Sequence, residues 1–179
     1  KSVLDFGAGG GHTTVLAKVL GFERVVHHEF SIFHPFVQWR IEQLTDNPNC
    51  RFEFSDAQYP LVIKEPVDAI ICSDVAEHVF DPEAMLQQIN EALKPGGMLV
   101  WVSMFEQTIS CHINPQYRGH EEELLNRYGF RRIGDLPASY QGYSGLYEVQ
   151  KATQAPNLTS QYSDNPNLFT DESQVYLAS

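Results

Sequence analysis

Val3-Leu4-Asp5-Phe6-Gly7-Ala8-Gly9-Gly10-Gly11 runs from an apolar segment into a glycine cluster, and Glu29 follows eighteen residues later at the end of a second apolar run. A helical pattern, Val15, Leu16, Val19 and Leu20, comes directly after the glycines. The switch predicts a strand-to-helix turn at which backbone approaches a ligand that side chains would block. An acid at the tip of the next strand, residues 24–28, stands where a carboxylate accepts hydrogen bonds from both hydroxyls of a ribose. Its charge also repels a 2′-phosphate. The stretch therefore reads as a nucleoside-cofactor site.

Outward from this turn the chain alternates strand and helix, which calls for a mostly parallel sheet with helices on both faces. The pattern predicts strands at about 2–6, 24–28, 51–54, 67–73, 97–103, 130–136 and 145–151, and helices at about 11–20, 34–45, 82–94 and 119–128. Phe33, Val37, Ile41 and Leu44 are expected on one face of the second helix, and Met85, Ile89 and Leu93 recur at a four-residue period in the third. Asp81 and Pro82 suit the start of that helix, and Pro95-Gly96-Gly97 is expected to end it. The last two strands have a turn-rich stretch and no helix between them, so they form an antiparallel hairpin.

Asp5 ahead of the first glycine, the G-x-G-x-G spacing, Asp56-Ala57 after a short strand, Ser73-Asp74-Val75-Ala76-Glu77-His78 after the fourth strand and Leu93-Lys94-Pro95-Gly96-Gly97 recur in order. In these features the chain resembles the class I, Rossmann-like S-adenosylmethionine-dependent methyltransferases, over residues 2 to about 151, and within them the small-molecule subgroup that includes ubiquinone-pathway enzymes. The resemblance implies an α/β, doubly wound, seven-stranded sheet of order 3-2-1-4-5-7-6, with the final strand inserted antiparallel. It also implies S-adenosyl-L-methionine as donor, S-adenosyl-L-homocysteine as product and a small-molecule acceptor. In that family helices ahead of the first strand cover the cofactor. Here the first strand starts beside Lys1, so this lid is expected to be missing.

By the same resemblance, backbone at Gly7, Gly9 and Gly11 lies along the methionyl part of the donor, and Asp5 sits near its ammonium through water. Glu29 holds the ribose, and Phe30 or Ile32 packs against the adenine face. Asp56 accepts from the adenine amino group, the Ala57 N–H meets a ring nitrogen, and Ser73 with Asp74 closes the floor. Plainer readings stand beside these. Asp56 also suits a turn and Phe30 the core. The candidate bases for an oxygen or nitrogen acceptor are His78, His112, His120 and Glu77, the first three being favoured. The D-x-x-E-H run of Asp74, Glu77 and His78, with His112, is similar to a divalent-cation set in some relatives, while Glu-His at this place also occurs in metal-free ones, and no metal ligand is assigned.

A net charge of −11 without a lysine or arginine cluster argues against nucleic acid as a partner. No apolar run reaches the length of a membrane span, and no signal peptide is visible, which predicts a cytoplasmic protein without a membrane partner. Cys50, Cys72 and Cys111 lack metal-like spacing and read as reduced thiols, Cys72 in the core. Residues 1–151 are read as one methyltransferase-like domain and 152–179 as a polar tail. The tail carries apolar beads such as Leu158, Tyr162 and Phe169 that suit contact with another subunit or domain. Two other functions fit parts of the pattern: a donor-binding but catalytically silent domain of a larger protein, and a nicotinamide-dependent dehydrogenase.

Overall fold

The computed structural model describes residues 1–150 apart from 45–46, 58–60, 106–108 and 138–141, so the expected tail over 152–179 lies outside the described residues. Strands β1 (Ser2–Phe6), β2 (Arg24–Glu29), β3 (Arg51–Asp56), β4 (Val67–Ser73), β5 (Leu93–Ser103), β6 (Phe130–Gly134) and β7 (Tyr143–Val149) form one sheet of order β3-β2-β1-β4-β5-β7-β6. β7 runs antiparallel to both β5 and β6. The remaining pairs are parallel. This is the expected topology, and the inserted strand separates it from the dinucleotide-binding order 3-2-1-4-5-6.

Alternate residues of a strand point to opposite faces, so the central strands feed two cores. Val3 and Val25 pack on Ala17 of α1 (His12–Val19), and Val15 meets Val37 and Ile41 of α2 (His34–Leu44). On the other face Leu4, Val26 and Ile70 join Met85, Leu86 and Ile89 of α3 (Pro82–Ala92) and Leu124 and Leu125 of α4 (Glu121–Arg127). Asp81 caps α3 as expected, accepting from the Ala84 N–H at 2.9 Å.

Two local expectations are corrected, in the second helical segment and in α3. Helix α1 forms where its pattern placed it, with Thr14, Val15 and Ala17 buried and Leu16 and Val19 exposed. Small side chains there let the helix sit close to the sheet. In the second helical segment Phe33 and Leu44 are exposed, leaving Val37 and Ile41 inside. Helix α3 stops at Ala92. Leu93 already pairs with Val67 while Met98 pairs with Ala69, so residues 94–97 bulge opposite the single residue Asp68. Among the described residues no helix is long and apolar enough to cross a membrane.

Candidate functional site

The carboxyl ends of β1, β2 and β4 meet at one edge of the sheet, where ligands bind in open α/β folds. Gly7 follows β1 at φ 67°, and a Cβ there would lie 2.3 Å from Val75 Cγ2 in the loop after β4. Only a residue without a side chain brings those two loops together. Gly9 also has positive φ, at 48°, yet a Cβ there would meet nothing within 4 Å. Its α-carbon faces open space at the sheet edge.

Glu29 ties this turn to the tip of β2. Its Oε2 accepts from the Gly9 N–H at 2.9 Å and its Oε1 from the Phe30 N–H at 2.7 Å. The side chain is thus pre-set beside the glycine turn by two backbone amides, with lone pairs left on each oxygen. Gly7 and Ala8 donate to the His28 carbonyl, and Arg40 donates to the Gly10 carbonyl while its guanidinium lies over the Phe36 ring. The carboxylate and the loop are therefore held from both sides.

Asp5 is buried beneath the turn instead of opening onto it. Its Oδ2 accepts from the Thr14 hydroxyl at 2.6 Å, and the same hydroxyl lies 2.9 Å from His27 Nδ1. Asp5 and His27 are register partners on β1 and β2, so parallel pairing aims both at α1. Burial pushes the Asp5 carboxyl up to about 6, although Thr14 hydrogen bonds act in the opposite direction. Burial pushes His27 and His28 down to about 4.

These shifts set a pH dependence of stability. Between pH 6.5 and 4 the unfolded chain protonates both histidines while the native fold keeps them neutral, so stability falls on acidification through that window. Each histidine contributes at most about 3 kcal/mol. Asp5 acts in the opposite sense between 3.8 and about 6, because there the native carboxyl holds a proton that the unfolded one has released. The net expectation is loss of stability toward acid, with a shallower slope in His28→Gln. Urea midpoints across this interval check it, and a pH-independent midpoint would contradict it.

The remaining expected residues divide. Phe30 and Ile32 are exposed at 62% and 77% beside the end of β2, available to a planar ligand and absent from the core. Asp56 is exposed and 3.8 Å from His34 Nδ1. The expectation for Ala57 is corrected: its N–H donates to the Glu29 carbonyl at 3.0 Å, prolonging the β2–β3 ladder, and is not free for a ring nitrogen. Ser73 donates to Asp74 Oδ2 at 3.0 Å, and Asp74 takes a left-handed φ of 56°, uncommon outside glycine.

His78 and His112 come together, their rings 4.8 Å apart and edge to face. His120 stands at the start of α4 with Nδ1 3.5 Å from Glu123 Oε2. Glu77 is corrected as a base and as a cation ligand beside His78. It is fully buried, its Oε1 accepts from the Met104 N–H at 3.0 Å, and its Oε2 has no partner among the described residues. The short 3-10 turn Ala76–His78 sends residue 77 inward and residue 78 outward.

Sequence reasoning missed Thr14, His27, His34 and Arg40. His34 stacks on Phe54 at 4.3 Å, and its Nε2 lies 3.1 Å from the Glu29 carbonyl oxygen. A polar residue at the centre of an apolar strand or helix, as at His27 and Thr14, was the available signal.

Residues 1–143 match the family described as methyltransferase domain. A curated relative, the mitochondrial ubiquinone biosynthesis O-methyltransferase of Bos taurus, is 34% identical over 112 residues, a match that takes in 54% of this chain and 27% of the relative. The chain thus spans about a quarter of the length of the curated relatives it matches. Among solved structures, an O-methyltransferase family 2 protein from Planctomyces limnophilus in complex with apigenin aligns with TM-score 0.64 and 15% identity over 83% of this chain and 50% of that one. The N-methyltransferase NodS of Bradyrhizobium japonicum, in complex with S-adenosyl-L-homocysteine, aligns with TM-score 0.62 and 12% identity over 83% and 78%. At these identities the likeness is one of fold.

Proposed function

We propose, from the premise that the chain belongs to the methyltransferase-domain family its residues 1–143 match, that it binds S-adenosyl-L-methionine and transfers the methyl group to a small molecule. The observation that carries the reading is the Glu29 carboxylate, held by the Gly9 and Phe30 amides at the tip of β2 beside an open glycine turn. A ribose diol placed there finds a pre-oriented acceptor pair. Exposed Phe30 and Ile32 offer apolar surface to the adenine, and Asp56 offers an acceptor for its amino group. S-Adenosyl-L-homocysteine leaves from the same place. The nicotinamide alternative loses its ground in the inserted antiparallel strand.

Methyl transfer is an in-line displacement at carbon, with a sulfonium that already leaves well. The protein's main task is alignment, which can supply about 7–11 kcal/mol of the barrier. On the acceptor side the proposal assigns the His78–His112 pair, bordered by exposed Phe80, Ile109 and Ile113, to a partly apolar acceptor whose oxygen, nitrogen or carbon takes the methyl group. For an oxygen or nitrogen nucleophile, one of the two imidazoles takes the proton. A cytoplasmic location belongs to the same proposal and rests on three free cysteines; the relative from Bos taurus is mitochondrial by its name.

The test is calorimetric titration of the chain with S-adenosyl-L-methionine and S-adenosyl-L-homocysteine, followed by an acceptor screen that reads S-adenosyl-L-homocysteine release. Micromolar binding and turnover on an acceptor are expected. With that acceptor, replacing the imidazole that serves as base should lower kcat about 10²- to 10⁴-fold. A folded chain that binds neither ligand would overturn the proposal. Donor binding without turnover would instead favour a silent binding domain.

A further inference from the structure

We propose that His78, Cys111 and His112 form a zinc site with two imidazole ligands, one thiolate and an open fourth position. One ligand atom from each residue lies within 4.8 Å of the other two. Tetrahedral zinc, with bonds of about 2.0–2.3 Å, needs ligand atoms about 3.3–3.8 Å apart. Rotation of surface side chains covers that difference, since His78 and Cys111 are exposed and His112 is half-buried.

The backbone that carries these groups is already joined across two loops. The Ile113 N–H donates to the Glu77 carbonyl at 2.9 Å, and the Asn114 side-chain amide donates to the Ala76 carbonyl at 3.1 Å and to that of Val79. His78 Nδ1 lies 3.0 Å from the Cys111 carbonyl. With the proton on Nδ1, that contact orients the ring and leaves Nε2 for the ion, the arrangement usual behind a metal-bound histidine. The donor set of sulfur and imidazole selects zinc over magnesium or calcium. Glu77, whose carboxylate is turned into the core, takes no part. On binding, the Cys111 thiol releases its proton to solvent and its sulfur becomes the thiolate ligand. The fourth position takes water or another oxygen donor.

The inference stands without methyl transfer, because zinc binding is measured with no donor or acceptor present. One consequence does rest on the proposed function: a ligated imidazole has no lone pair for a proton, so the zinc-loaded protein would lose both candidate bases and the ion would instead polarise an acceptor oxygen.

The experiment uses the full chain without an affinity tag, reduced and stripped of metal, titrated with zinc by calorimetry and with cobalt(II) by absorption. One equivalent should bind, and cobalt should show a thiolate-to-metal charge-transfer band together with the visible bands of a tetrahedral ion. Cys111→Ser should abolish the charge-transfer band, and both Cys111→Ser and His112→Ala should weaken zinc at least about tenfold. Asp74→Asn should leave zinc affinity unchanged. Circular dichroism of each variant shows that it is folded. No charge-transfer band in the unaltered chain, or zinc affinity indifferent to Cys111→Ser and His112→Ala, would overturn the site. Loss of binding only in Asp74→Asn would move the ion to a carboxylate set and overturn it equally. Titration of the same samples with S-adenosyl-L-homocysteine reports separately on the donor site.

Discussion

Glu29→Ala is expected to weaken S-adenosyl-L-methionine binding about 100- to 10,000-fold while leaving the protein folded. The estimate comes from two hydrogen bonds to a charged acceptor, each worth about 1.5–3 kcal/mol, with about 1.4 kcal/mol per tenfold in affinity. The side chain has two roles that the substitution removes together. It presents its oxygens to the ribose, and it holds the Gly9 and Phe30 amides in place at 2.9 and 2.7 Å. Glu29→Gln separates them. Its amide oxygen still accepts one backbone bond, but its NH₂ faces an N–H where an oxygen was needed, so it should bind the donor more weakly than the wild type. Calorimetry with S-adenosyl-L-homocysteine, alongside a thermal melt, reads both effects. Affinity within about threefold of wild type in a folded Glu29→Ala chain would remove the proposed ribose contact.

Gly7→Ala is expected to destabilise the fold by about 2–5 kcal/mol. Left-handed backbone costs a residue with a Cβ about 1–2 kcal/mol, and overpacking adds about 1–3 kcal/mol. Both apply here, at φ 67° with Val75 Cγ2 2.3 Å from the new methyl group. Gly9→Ala is the matched contrast. It carries the backbone cost alone, since nothing lies within 4 Å of its Cβ, and its methyl group projects to the open side of the turn. It should therefore lose little stability and much donor affinity. Urea denaturation of both variants, and of Gly7→Ala with Val75→Ala, isolates the steric part: the second substitution should recover it and leave the backbone cost. Equal midpoints for Gly7→Ala and Gly9→Ala would show that the packing against Val75 carries no weight.

Much of the fold was legible because its signals are local. An apolar run broken by glycines, a capped four-residue repeat such as Met85, Ile89 and Leu93, and two terminal strands without a helix between them each depend on residues close in sequence. Which residues of α1 face the sheet was not legible, for a physical reason that pattern counting does not contain. The helix approaches the sheet through Thr14 and Ala17, with the Thr14 hydroxyl reaching Asp5 and His27, and Leu16 and Val19 are left in solvent.

The site was legible to the same depth. Glu29 and the glycine turn could be read from spacing, since a strand end and the turn after its neighbour are brought together by the parallel pairing itself. Ala57 could not, because strand pairing extends far enough for its N–H to be taken by the Glu29 carbonyl. The run Asp74, Glu77 and His78 looked like one cluster in sequence, yet a 3-10 turn divides it, with Glu77 inside and His78 outside.

What the sequence determined by itself is the order of strands and helices, the close-approach turn at Gly7 to Gly11 and the acid across from it, all consequences of periodicity and of where a side chain is sterically forbidden. The tertiary structure alone decided which distant polar groups meet. Asp5 joins His27 through strand register and a helix hydroxyl. His78 joins Cys111 and His112 because the Ile113–Glu77 backbone hydrogen bond and side-chain bonds from His78 and Asn114 close one loop onto another across more than thirty residues, a contact that no local preference encodes.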